Sequence, residues 1–160
     1  MIVSGASLIE RVAALNAEYA RVIDDDRLEE WPDLFLDECL YKITTADNHR
    51  KGLAAGIMYA DSKGMLEDRV SALREANIYE RQTYRHIVGP PALLAESADG
   101  ARVESPFLVV RIMRDGAMDV FATGKYLDRV ATTRDGALRF AERIVVCDSA
   151  RVDTLIALPL

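Results

Sequence analysis

Residues that bind metals or form disulfides are scarce in this chain of 160 residues. Cysteine occurs only at Cys39 and Cys147, too few for a disulfide framework or a four-cysteine zinc site. The only histidines are His49 and His86, and neither lies in a Cys-x-His or Cys-x-x-His unit that could hold an iron–sulfur cluster. A mononuclear iron site would require both histidines and a carboxylate. We therefore expect no metal or cofactor site in this chain.

Long apolar runs and an excess of basic charge are also lacking. No run approaches the roughly 20 apolar residues that cross a bilayer, and the N-terminus has no signal-peptide pattern. The net charge of -6 and the pI near 5.0 argue against binding to nucleic acid or anionic membranes, which clustered Lys and Arg would favour. We expect a cytoplasmic protein without a membrane or nucleic-acid partner.

Motifs for nucleophilic catalysis and phosphate binding are missing too. No serine lies in a Gly-x-Ser-x-Gly turn. The glycines at 52 and 56 lack the glycine-rich turn into a helix, and the lysine, of a phosphate-binding loop. Small residues there favour close backbone packing.

The residues that are present indicate one compact domain over residues 1–160, because half of them are hydrophobic and 29% are charged. Ser7 and Glu10 form a capping box that should start a helix. Apolar residues then recur at steps of four and three and predict a buried stripe. They are Leu8, Val12, Leu15, Tyr19 and Val22.

Further elements are predicted along the first half of the chain. A second short helix is expected over residues 28–35, with Trp31 and Phe35 as core anchors, followed by a strand over 39–44 and a loop over 45–56. Ser62 should cap another helix that ends at Asn77.

Three Asp-Gly pairs, at 99–100, 115–116 and 135–136, predict tight turns in the second half. They separate strands over residues 105–113, 118–130 and 137–148, preceded by strands at 83–88 and near 93. Helices followed by such a meander predict an α+β fold, with N-terminal helices packed on a long curved antiparallel sheet.

Both faces of this sheet are partly apolar. The alternation places Leu138, Phe140, Ile144 and Val146 on one face of the last strand and other apolar residues on the opposite face. Because monomers rarely expose large apolar patches, one face should meet a second subunit. The apolar tail 155–160 should dock within the chain or across an interface.

A pocket enzyme is the alternative. A buried carboxylate has a raised pKa and could act as a general acid or base. The candidate residues are Asp24, Tyr41, His86, Tyr126 and Glu142. In the structural interpretation, Asp24 lies at a solvated helix end, His86 is hydrogen-bonded within the fold, and Glu142 pairs with an arginine across strands.

Many short segments, in the same order, resemble the small subunits of aromatic-ring-hydroxylating dioxygenases. They include Asn48-His49, Tyr59-Ala-Asp-Ser62, Asp68-Arg69, Tyr84-Arg-His86, Val110-Arg-Ile-Met113, Glu142-Arg143, Val146-Cys-Asp-Ser149 and Ala157-Leu-Pro-Leu160.

The resemblance implies a cone-shaped fold of the NTF2-like, ketosteroid-isomerase-like type. It also implies an α3β3 hexamer in which small subunits form a supporting trimer and large subunits hold a Rieske 2Fe-2S cluster and mononuclear Fe(II). A reductase would supply electrons from NAD(P)H for cis-dihydroxylation of an aromatic acid, with terephthalate the expected substrate. The resemblance assigns no catalytic residue here.

Contacts with neighbouring subunits are expected from charged and aromatic side chains outside the helical stripe, and from the tail. The predicted residues are Tyr59, Asp61, Arg69, Tyr84, Arg85, Leu158 and Leu160. Ion pairs within the chain are the alternative role for the charged members.

Overall fold

The computed structural model describes residues 5–54, 56–76, 82–151 and 156–160. Within these ranges the helices are α1 (Leu8–Asp24), α2 (Ala46–Arg50) and α3 (Lys63–Glu75), with 3-10 turns at Leu28–Glu30 and Pro32–Leu34. The strands are β1 (Phe35–Thr45), β2 (Met58–Ala60), β3 (Gln82–Val88), β4 (Ala92–Glu96), β5 (Gly100–Met113), β6 (Met118–Thr132) and β7 (Leu138–Cys147). Asn77, the predicted end of α3, lies outside the described residues.

Helix α1 begins at the predicted capping box. The Ser7 backbone N–H donates to Glu10 Oε2 at 2.7 Å, and the Glu10 N–H donates to Ser7 Oγ at 3.3 Å. These bonds satisfy donors that the first helical turn leaves unpaired. Of the predicted stripe, Val12, Leu15, Tyr19 and Val22 are buried, so the prediction is confirmed for them.

The strands form one seven-stranded sheet in the order β2-β1-β7-β6-β5-β3, with β4 also pairing with β5. The predicted meander of β5, β6 and β7 is confirmed. Gly116 and Gly136 have φ of 90° and 84° in the turns, a conformation that favours glycine. Helix α1 packs against β3 and β7, and α3 packs against β1, which confirms the α+β prediction.

The prediction of a wholly antiparallel sheet was wrong in one respect. Strand β1 pairs with β7 in parallel, so the sheet is mixed. The sequence gives no sign of this pairing, because the two strands are joined through the rest of the sheet and not by a tight turn.

Two local predictions also change. The short helix expected over 28–35 is a pair of 3-10 turns, and Phe35 begins β1; Pro32, which has no N–H, opens the second turn. Residues 45–56 contain α2, which begins where the Asn48 N–H donates to Thr45 Oγ1 at 3.2 Å. Trp31 and Phe35 are both buried, as predicted.

A β-bulge reverses the expected faces of β7. Phe140 lies opposite Val130, but Glu142 lies opposite Arg129, so Ala141 is an extra residue in the strand. The prediction that Leu138, Phe140, Ile144 and Val146 share one face was therefore wrong. After the bulge the inward positions are those of Arg143, Val145 and Cys147, all buried.

Candidate functional site

A buried arginine occupies the space between α1 and the sheet. Arg143 donates from Nε to Asp128 Oδ1 at 2.8 Å and from Nη2 to Asp128 Oδ2 at 2.7 Å. Its Nη2 also donates to the side-chain oxygen of Asn16. The Asn16 amide in turn donates to Ser105 Oγ at 3.0 Å. Helix α1 and strands β5, β6 and β7 thus meet in one buried polar network.

Three aromatic rings surround the same guanidinium. The Arg143 Cζ atom lies 4.3 Å from the ring centre of Tyr19, 3.8 Å from that of Tyr126 and 4.0 Å from that of Phe140. Phe107 stacks on Tyr126 with 4.5 Å between ring centres. A desolvated cation over aromatic faces is attracted by the ring quadrupoles. Side chains therefore fill the middle of the fold.

The electrostatics of this network favour a retained ion pair. Burial alone lowers the pKa of Arg143, but the charge and hydrogen bonds of Asp128 more than offset this, so the pKa is raised overall. Burial raises the pKa of Asp128, and the arginine opposes part of that rise. The bidentate geometry is the stronger form of this ion pair. Asp128 is therefore held by Arg143 and is not available as a general acid or base.

Of the five candidate pocket residues, the structure brings Asp24 and His86 together. His86 Nδ1 lies 2.6 Å from Asp24 Oδ1, and the His86 backbone N–H donates to Asp24 Oδ2 at 2.8 Å. The Asp24 side chain is almost wholly buried, so the interpretation of a solvated helix end was wrong. The prediction that His86 is hydrogen-bonded within the fold is confirmed.

The other three candidates, Tyr41, Tyr126 and Glu142, contact other residues. The Tyr41 hydroxyl bonds to the backbone of Leu160, and Tyr126 packs on Arg143. Glu142 follows the bulge and lies opposite Arg129 in the ladder, on the face away from Arg143. These residues do not converge on one open cavity.

The metal-ligand side chains of the described ranges are dispersed. Within those ranges no group of three or more His, Cys, Asp or Glu side chains could hold a metal ion. Cys39 and Cys147 are buried, and burial raises their thiol pKa values to about 11 and about 12. This part of the chain thus offers no fit for an iron–sulfur cluster or mononuclear iron.

The predicted subunit-contact residues differ in burial and fall into three groups. Tyr59, Asp61 and Arg85 are exposed. Arg69 is partly buried and donates to the Ile156 carbonyl at 2.8 Å. Tyr84, Leu158 and Leu160 are buried within the chain. Contact with another subunit stays a prediction for this set.

The sheet carries an exposed apolar surface, and the apolar alternation did not show which residues form it. Three apolar side chains on β3 and β6 are largely exposed: Ile87 at 56%, Met118 at 72% and Val120 at 64%. Val120 lies opposite Val110, and Ile87 lies opposite Leu108, so partly exposed residues of β5 link them. We call Ile87, Leu108, Val110, Met118 and Val120 the outer apolar surface.

A known protein family matches most of this chain. The sequence profile described as "Ring hydroxylating beta subunit" matches residues 18–154. The chain belongs to this family. Among the described residues of this beta subunit, no helix is long and apolar enough to cross a membrane.

Characterised relatives cover nearly the whole beta subunit. It is 56% identical over 150 residues to the terminal oxygenase component subunit beta 1 of terephthalate 1,2-dioxygenase from Comamonas sp., covering 94% of this chain and 97% of that one. It is 41% identical to the small subunit of anthranilate 1,2-dioxygenase from Burkholderia cepacia, covering 91% and 90%.

Solved structures agree with the fold. This chain is similar to a chain in a structure of naphthalene 1,2-dioxygenase with indole bound in the active site, with a TM-score of 0.75 and 16% identity, covering 99% of this chain and 89% of that one. At that identity the likeness concerns the fold alone. The predicted NTF2-like, cone-shaped α+β fold is confirmed. So is the predicted membership in a ring-hydroxylating oxygenase as its small component.

Proposed function

We propose that the chain is the structural small subunit of an α3β3 Rieske non-haem iron terminal oxygenase that cis-dihydroxylates terephthalate. The observation that supports this most strongly is the likeness of 56% over 150 residues to a subunit of terephthalate 1,2-dioxygenase. The Rieske 2Fe-2S cluster and mononuclear Fe(II) are proposed to lie in the large subunit. The complex would work in the cytoplasm.

The overall reaction sets what the partners must supply. One molecule of dioxygen adds both of its atoms to the aromatic ring as a cis-diol. Two electrons and two protons balance the step, and a reductase would deliver the electrons from NAD(P)H. In this scheme the small subunit neither binds substrate nor transfers electrons; it supports the large subunits mechanically.

The filled interior supports that mechanical role. In the middle of the fold the Arg143 guanidinium sits among the rings of Tyr19, Tyr126 and Phe140, where an enzyme would need room for substrate. The side chain of Asp24, at the C-terminal end of α1, contacts the ring of His86 on β3. Such a rigid unit suits a subunit that holds others in place.

The exposed surfaces support the role in assembly. We propose that the outer apolar surface contacts a second copy of the chain within a trimer, because a soluble protein gains by covering contiguous apolar residues. Tyr59, Asp61 and Arg85 are proposed to contact a neighbouring subunit. Tyr59 is 51% exposed and stands on β2, at an edge of the sheet.

Co-expression with the large subunit of the proposed complex tests the proposal. The mass of the purified complex and terephthalate dihydroxylation with reductase present would be measured. We expect a hexamer that contains iron and turns over, and a small subunit that is inactive and free of iron when purified alone. A stable lone chain with its own lyase or isomerase activity would replace this function with that of a pocket enzyme.

A further inference from the structure

The last five residues, 156–160, fill a site in the chain's own core. Ile156, Leu158 and Leu160 are buried, and Leu160 is fully so. They belong to the same apolar cluster as residues of α1 and β1. Pro159 is buried as well, and Ala157 is partly buried, so the whole segment packs into the core.

Side chains bind the backbone of this segment at both of its ends. The Leu160 carbonyl oxygen accepts from the Tyr19 hydroxyl at 2.5 Å and from the Tyr41 hydroxyl at 2.9 Å. The Leu160 N–H donates back to Tyr41 Oη at 3.1 Å. At the other end the Ile156 carbonyl accepts from Arg69 Nη2 at 2.8 Å. Proteins that bind separate peptides likewise combine hydrogen bonds to the peptide backbone with pockets for its side chains.

Other core residues hold the two tyrosine donors beside the segment. The Tyr41 ring packs edge-on against Trp31 at 5.1 Å and against Phe35 at 5.9 Å. Tyr19 packs edge-on against Phe140 at 5.8 Å. Burial raises the pKa of both tyrosines, which keeps their hydroxyls protonated as donors. The site therefore owes its shape to the helix and the sheet, and not to residues 156–160 themselves.

We propose that Tyr19, Tyr41 and Arg69 form a peptide-binding site that the chain's own residues 156–160 occupy. The ligand class is a short apolar peptide whose backbone oxygens accept hydrogen bonds at both ends. Occupation of this site closes the core with a segment that a separate copy of the same peptide can replace.

A truncated chain lacking residues 156–160 tests exchangeability, with the synthetic pentapeptide Ile-Ala-Leu-Pro-Leu as the probe. We expect truncation to lower the Tm and the peptide to raise it again by about 5 °C at saturation, because a ligand of the folded state stabilises it by mass action. A control peptide with serine in place of both leucines should have no effect. An unchanged Tm after truncation, or no saturable rise with the probe, would overturn the proposal.

Hydrogen exchange on the full-length chain decides the question if the truncated chain does not fold. Tyr41→Phe keeps the ring and removes the hydroxyl that both donates to and accepts from Leu160. We expect the Leu160 amide to exchange about tenfold faster in Y41F, with β6 unchanged, since the loss is local. Tyr59→Phe, at an exposed tyrosine, is the matched control. Equal exchange in wild type and Y41F would sink the proposal.

Discussion

Arg143 combines two means of stabilising a buried charge. Asp128 neutralises it through two hydrogen bonds of 2.8 and 2.7 Å, while the rings of Tyr19, Tyr126 and Phe140 cover its faces. In the described part of the chain its Nη1 has no hydrogen-bond partner. Desolvating a charge costs several kcal/mol, so the network is stable only while both charges remain. Removing one partner should therefore cost far more than removing both.

Substitution of this pair should give a strongly non-additive result. We expect Arg143→Met to lower the free energy of unfolding by about 3–5 kcal/mol, because it leaves the Asp128 carboxyl buried without a cation. The double variant Arg143→Met with Asp128→Leu should recover much of that loss. Urea unfolding of both single variants and the double variant measures the coupling. A double variant as unstable as the sum of the singles would contradict this account.

Asp24 allows a second prediction for a single residue, and the neighbouring Asp25 serves as its control. Asp24→Asn weakens the contacts with the ring and the backbone N–H of His86 and should cost about 1–3 kcal/mol of stability, because polar groups stay buried without full partners. Asp25→Asn, at an exposed position, should change stability by less than about 0.5 kcal/mol. Thermal unfolding of the two variants makes the comparison. Equal effects would mean that the buried contact contributes nothing specific.

Among the elements, Arg74 joins α3 to the turn after α1. Its Nε donates to Glu29 Oε1 at 2.7 Å and its Nη1 to Asp26 Oδ1 at 2.8 Å. Its Nη2 donates to the Asp26 backbone carbonyl at 2.8 Å. The two helices lie far apart in sequence, so this junction fixes their relative position on the sheet. It is also a place where the stability of the helical layer depends on pH.

Acid should weaken that junction in a defined range. The hydrogen bond from Arg74 is the main cause that lowers the pKa of Glu29 from 4.5 to about 2. A carboxyl with a lowered folded pKa stabilises the fold above its unfolded pKa, and this contribution disappears as the pH falls from 4.5 towards 2. Because Glu29 is largely exposed, the contribution at neutral pH should be about 0.5–1 kcal/mol.

Stability profiles of Glu29→Gln and wild type measure this contribution. The variant should be less stable at pH 7, and the two curves should converge as the pH falls below about 4. Glu75→Gln, at an exposed position at the end of α3, is the control and should follow wild type. Curves that run parallel down to pH 2 would show that Glu29 is not the titrating group.

The sequence predicted where the helices and turns lie better than which strand residues face the core. Capping at Ser7 and the Asp-Gly turns depend on neighbouring residues, so they could be predicted. The bulge at Ala141 could not be predicted from apolar alternation. An unbroken register from the Asp135-Gly136 turn would place Asp128 opposite Glu142, whereas the bulge places it opposite Arg143. Like charges directly opposite are unfavourable, so that clash was the one available sign of the buried network.

At the scale of the whole molecule, one face of the sheet is covered by α1 and α3 and the other is not. The outer apolar surface spans β3, β5 and β6, whose central residues pair as Val110 with Val120 and Leu108 with Ile87. The tail was predicted to dock, and its buried residues pack within the chain. It therefore cannot also cover this surface, which leaves the surface free for another copy.

A charge placed in the outer apolar surface should weaken assembly and leave folding of the single chain unchanged. Val120 is 64% exposed, so Val120→Glu should leave the Tm of the isolated chain nearly unchanged. In the trimer the new carboxylate would be buried without a partner, and association should weaken about 100-fold or more. Thr132→Glu, exposed at the far end of the same strand, is the matched control and should assemble normally. Analytical ultracentrifugation of the small subunit and of the complex with the large subunit measures both steps. If V120E still forms the wild-type trimer and hexamer, copies of the chain meet through a different surface, and the edge that bears Tyr59 becomes the next to substitute.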